Sequence, residues 1–100
     1  MKLKVIPWRE ATAPVEETLR ERLEAEAFSV FRWRDAPGAT YTPHSHGHDE
    51  SLWVIEGEIS FGIGGQTYRL GVGDRLMLPR GTEHTATAGP AGATYLIAEK

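Results

Sequence analysis

His44, His46, His48 and Glu50 fall at every second position of one short segment, and a fourth histidine, His84, lies far along the chain. In an extended segment alternate side chains point to one face, so this spacing predicts that residues 44–50 turn all four groups into one cavity. Neutral imidazoles with a carboxylate suit a divalent first-row transition metal, and two histidines with one carboxylate recur at non-haem iron and related centres. A closed structural zinc site is disfavoured because the chain has no cysteine to supply thiolates. A single histidine in a strand-rich protein is more often a surface or hydrogen-bonded core residue than a ligand. The joint placement of these groups favours a metal over a metal-free cavity.

Glycines and a proline punctuate the cluster at fixed intervals. Around the first three histidines the chain runs Gly38-x5-His44-x-His46-x3-Glu50-x6-Gly57, and downstream it runs Gly73-x5-Pro79-x-Gly81-x2-His84. These two runs resemble the first and second motifs of the cupins, in the order that family has them, and the likeness covers roughly Trp33 to Thr87. One position departs from the pattern: Ala88 stands where the second motif ends in Asn, which bears on the geometry of a local turn more than on the metal. The resemblance implies an all-β fold, a cupin-type antiparallel β-barrel (double-stranded β-helix, or jelly roll) with one N-terminal helix. It implies His44, His46, Glu50 and His84 as the metal ligands and a divalent transition metal as cofactor, whether iron, manganese, nickel, zinc or copper. His48 is outside the pattern, and Gly47 and Asp49 beside it mark a bend, so it is read as an outer partner or rim residue of the kind that orients ligating histidines.

These residues need elements to hold them. Lys2–Ile6 reads as a strand ended by Pro7, and Pro14–Ala27 reads as a helix, with Pro14 in its first turn and Glu16 and Glu17 complementing its positive end. Val15, Leu19 and Leu23 recur every fourth residue as a narrow apolar stripe. From Phe28 onward, short runs rich in β-branched and aromatic residues alternate with turn residues: Ser29–Arg34, Leu52–Ile55, Ile59–Ile63, Tyr68–Leu70, Arg75–Leu78 and Thr94–Ala98. Gly64-Gly65 suits a two-residue hairpin turn. The expected organisation is a strand and helix over residues 1–27 packed on a barrel over 28–100, forming one domain. If Glu50 faces the cavity, Leu52 and Val54 face inward while Trp53 and Ile55 lie outside. Those outer apolar groups need cover, either from the helix or from a second subunit, and a homodimer is the expectation because exposed apolar patches mark interfaces.

Composition narrows the function classes. The chain has 100 residues and a formal net charge of −3, with its Lys and Arg scattered, so no basic stripe suggests nucleic-acid binding. No apolar run is long enough for a signal peptide or a membrane span, which points to the cytoplasm. Two enzyme readings stay open: oxidative cleavage or hydroxylation through iron, and isomerisation or hydrolysis through manganese, nickel or zinc. A binding module that holds a small molecule without turning it over is the competing class, because no second catalytic constellation is visible. Tyr41, Trp33, His48 and Arg69 are the candidates for a polar wall around the metal.

Overall fold

The computed structural model describes all 100 residues. Its elements run β1 (Lys4–Ile6), α1 (Glu16–Ala25), β2 (Ser29–Asp35), β3 (Thr40–His44), β4 (Glu50–Ile63), β5 (Gln66–Leu70), β6 (Arg75–Leu78) and β7 (His84–Glu99). All pairings are antiparallel. The first part of β4 pairs with the last part of β7, from Glu50 opposite Glu99 to Gly57 opposite Ala93, and its second part pairs with the first part of β7, from Ile59 opposite Ala88 to Gly62 opposite Thr85. β1, β6 and β2 flank the first of these halves, while β5 and β3 flank the second. One continuous sheet is thereby folded into two layers, with β4 and β7 running through both. This is the jelly-roll arrangement that the sequence predicts.

The fold line falls where both long strands break register, between Gly57 and Ile59. Gly57 has a φ of 71°, and a β-carbon placed there would lie 2.1 Å from the carbonyl oxygen of Gly92. Only a residue without a side chain permits that approach, which explains why a glycine closes the first sequence motif.

Two apolar layers result. Between the folded halves lie Leu52, Val54, Ile59, Phe61, Leu70, Leu76, Leu78 and Tyr95 with small alanines. On the outer face, Leu19 and Leu23 of α1 pack with Phe28, Trp53, Leu96 and Ala98, and Ile55 packs against them. The predicted alternation from Glu50 therefore holds along β4 as far as Ile55, and past the register shifts that follow, the inward positions become Ile59, Phe61 and Ile63. Its outer apolar residues are covered by the chain's own helix, the first of the two covers the sequence allows. Arg75 is buried in this layer, with its guanidinium 4.8 Å from the Trp53 ring and paired with Glu26 at 2.8 Å.

The helix is shorter than the predicted Pro14–Ala27. It ends in a Schellman-type cap, in which Ala27 has a φ of 70° and donates to the Glu24 carbonyl while Phe28 donates to that of Leu23. Val15, the first member of the predicted stripe, stays exposed. β1 joins the sheet by pairing with β6 rather than packing on it. No helix is long and apolar enough to cross a membrane. Ala88, in place of the motif's Asn, lies buried inside β7 opposite Ile59 and not in a turn.

Gly57→Ala should therefore cost at least about 2 kcal/mol, combining left-handed backbone strain with the forced separation from Gly92. In a domain of this length that lowers the melting temperature by roughly 8 °C or more. Ala27→Gly, at the other left-handed position, should leave stability equal or higher by up to about 1 kcal/mol. Thermal or urea unfolding of both variants checks the pair, and an unperturbed Gly57→Ala protein would contradict the close approach.

Candidate metal centre

His44 ends β3, Glu50 begins β4 and His84 begins β7, so strands from both layers deliver side chains to one end of the fold. His44 and His84 are directly paired across β3 and β7, with ring centroids 4.3 Å apart. His46 lies in the connection between β3 and β4, and its ring centroid is 5.0 Å from that of His44 and 5.3 Å from that of His84. The segment from 44 to 50 is thus not one extended strand as the spacing predicts, because residues 47 and 48 bend away. The connection is instead held from across the site: Gly81 donates its N–H to the His46 carbonyl at 2.9 Å, and Arg80 donates its N–H to the Asp49 carboxylate at 2.8 Å. Gly81 has a φ of 76°, which a residue with a side chain adopts only under strain, so the second motif's glycine serves to fasten the first motif's histidine.

The protons on two imidazoles follow from their partners. Nδ1 of His44 lies 2.7 Å from the Thr42 carbonyl, and Nδ1 of His84 lies 2.9 Å from the Thr82 carbonyl. A carbonyl oxygen only accepts, so in both rings Nδ1 carries the hydrogen and Nε2 keeps its lone pair. That is the state in which a neutral histidine ligates a metal, with its other nitrogen oriented by a backbone carbonyl. Burial, the largest influence, pushes the His84 pKa below the usual histidine range, and the neighbouring His44 and His46 push the same way.

Glu50 is buried, and its Oε2 lies 3.7 Å from Nδ1 of His46 and 3.1 Å from Nε2 of His48. Two overlapping groups of ligand-type atoms result, each with its atoms within 4.8 Å of one another: His44, His46 and His84, and His46, His48 and Glu50. The four residues expected as ligands thus line one cavity, but Glu50 groups with His46 and His48 and not with His44 and His84, and His48 also lies 3.5 Å from Glu99.

A cavity of about 230 Å³ opens over the histidines between the two layers. Trp33 and Tyr41 line it as expected, whereas Arg69 is engaged with Glu58 on the outside and His48 lies off the wall. Sequence reasoning missed Asp35, Phe61, Tyr95 and Glu99. Buried Asp35 accepts hydrogen bonds from both phenols, from Tyr95 at 2.6 Å and from Tyr41, and from the Trp33 indole at 3.0 Å. Burial, followed by the Asp35 carboxylate, pushes the Tyr95 pKa far upward, and Asp35 raises that of Tyr41. The one available signal was alternation along β2, where Phe31, Trp33 and Asp35 share a face.

The Cupin domain family profile matches residues 31–97. No curated protein matches the sequence. Among solved structures, KdgF from Halomonas sp. aligns over 72% of this chain with a TM-score of 0.66 and 27% identity. The Mn(II)-containing oxalate decarboxylase of Bacillus subtilis aligns over 73%, with a TM-score of 0.64 and 27% identity. The polyketide cyclase RemF from Streptomyces resistomycificus aligns over 72%, with a TM-score of 0.65 and 25% identity. The chain spans 66%, 21% and 53% of these three proteins, respectively.

Because the folded state holds the pKa of His84 below its unfolded value of about 6.5, the neutral ring's contribution to stability is complete above that value and is lost as pH falls through the folded pKa. Urea midpoints of metal-free protein should fall between pH 7.5 and pH 5, and His84→Gln should shrink that fall. An undiminished fall in the variant would place the sensitivity elsewhere.

Proposed function

The chain belongs to the cupin family, and on that footing we propose that His44, His46, Glu50 and His84 hold a divalent transition metal that acts on a small organic molecule in the cavity. The observation that carries this reading is the pair of Nδ1-to-carbonyl hydrogen bonds at His44 and His84, which commits each ring to offering Nε2. Three imidazoles and one carboxylate leave positions on a six-coordinate metal for a substrate oxygen or water. A metal held there supplies Lewis acidity and lowers the pKa of a coordinated water. Manganese in the related oxalate decarboxylase supports a metal, and the polyketide cyclase RemF supports enzyme chemistry, as the leading class.

The protein's own groups divide the remaining work. Glu50 offsets cationic charge from a buried position, and His48 steadies its carboxylate. Phe61 and Leu52 form apolar walls that limit water around the histidines. A second reading, retention of a ligand without turnover, draws support from Tyr41 and Tyr95. Their hydroxyl protons are tied to Asp35, which leaves no free phenolic acid facing the cavity.

Equilibrium dialysis of stripped protein against manganese, iron, nickel, copper, cobalt and zinc should find one tight site per chain for at least one metal. At about 100 times its dissociation constant, that metal should add roughly 2.7 kcal/mol of stability, a rise of about 4 to 8 °C per kcal/mol in melting temperature. His48→Ala should weaken binding by roughly 10- to 100-fold at most, and His44→Ala, His46→Ala and His84→Ala by clearly more. Tight binding that survives the combined loss of His46 and His84, or a melting curve unmoved by every metal, would rule the assignment out.

A further inference from the structure

The cavity wall shows an imbalance between hydrogen-bond donors and acceptors that bears on what it takes. Apart from His46, whose ring makes no hydrogen bond, each of its evident donors is already committed. The hydroxyl hydrogens of Tyr41 and Tyr95 point to Asp35, the Trp33 indole N–H is shared between Asp35 and the Tyr41 oxygen, and Nδ1 of His44 and of His84 serves a backbone carbonyl. The acceptors, in contrast, keep capacity: the phenolic oxygens retain lone pairs, and the carboxylates of Glu50 and Glu99 border the space. No lysine or arginine lines it. Arg20, Arg22, Arg32, Arg69 and Arg75 are all paired with glutamates elsewhere. An anion entering here would meet two carboxylates, with the His46 ring as the one uncommitted donor of the wall.

The same wall is aromatic and rigid. Trp33 has its indole fixed at both Asp35 and Tyr41, yet 48% of its surface is exposed, and Phe31 two residues earlier on the same strand face is 52% exposed. A flat ring presented in a fixed orientation offers contact area with little ordering to be done on binding.

We infer that the cavity takes an uncharged ligand with a flat, apolar body and hydroxyl groups that donate to the wall, and that it discriminates against carboxylate and phosphate anions. This deepens the functional reading above and rests on it in taking the histidine-lined cavity as the ligand site. The discrimination belongs to the wall, so it is measurable without metal.

The test uses metal-free protein at pH 7 and four probes: catechol, 1,2-dimethoxybenzene, oxalate and inorganic phosphate. Binding is followed by tryptophan fluorescence and by ligand-observed NMR. Catechol should bind at least tenfold more tightly than each of the others, since the dimethyl ether keeps the ring and loses the donors. Trp33→Ala, a change at a half-exposed position, should weaken catechol binding at least tenfold. Oxalate or phosphate binding as well as catechol, the ether matching it, no probe binding at all, or indifference to Trp33→Ala would each overturn the inference. Metal uptake, measured separately by dialysis, keeps the two proposals apart. A chain that loads metal and prefers oxalate retains the metal and refutes the ligand class, and a chain that prefers catechol but loads no metal does the reverse.

Discussion

The pairing of β4 with β7 is the constraint on which the rest of the structure depends. Because each strand belongs to both layers, the separation of the layers is set by covalent continuity and by the register break between Gly57 and Ile59, the second of two along β4, and not by side-chain packing alone. The break demands backbone against backbone, Gly57 beside Gly92, and any side chain there would pry the layers apart at their hinge. At the far end of the same layers, Glu50 arrives on one strand and His84 on the other. The distance across the candidate centre is therefore inherited from the fold line. Catalytic and binding constellations require placement within a fraction of an ångström, and elements give that more reliably than loops.

His46 is the exception, since it sits in a connection. Its position is secured by hydrogen bonds that close the accounts of neighbouring backbone groups: Gly81 N–H to the His46 carbonyl, Arg80 N–H to Asp49, and a reciprocal pair between the backbones of Asp49 and Lys100. No buried side-chain nitrogen or oxygen is left without a partner anywhere in the chain. Satisfied networks of this sort hold one geometry, because breaking any member strands a buried polar group.

Much of this was legible in the residues and some was not, for identifiable reasons. Alternation from Glu50 correctly sorted Leu52 and Val54 from Trp53 and Ile55, and Leu19 and Leu23 marked the buried face of α1. Gly64-Gly65 does form the β4–β5 turn, with both residues at positive φ. β3 was invisible because Pro43 and polar neighbours do not resemble a strand, yet it pairs only with β7, so a proline at an edge costs the ladder nothing. The first part of β7 was invisible too, since Thr-Ala alternation carries weak β-propensity and tertiary pairing overrides it. The hydrogen-bond set around Asp35 joins residues 35, 41 and 95, and a contact of such long range has no signature in local pattern.

The sheet's first layer has apolar contacts on both faces, with the inter-layer core on one side and the helix-covered cluster on the other. The outer cluster lies on the opposite face of the sheet from the cavity, with Leu96 and Ala98 alternating along β7 with the cavity-lining Tyr95, Ile97 and Glu99. Leu19, Leu23, Phe28, Trp53 and Leu96, with the bridging Arg75, hold the helix on the face opposite the cavity. Replacements along the cavity wall, at Trp33 or Glu99, fall on a different face of the sheet from the one that keeps the helix seated. Substitutions that reshape the cavity therefore leave the apolar contacts under the helix in place, so selectivity and helix seating answer to side chains on opposite faces of one layer.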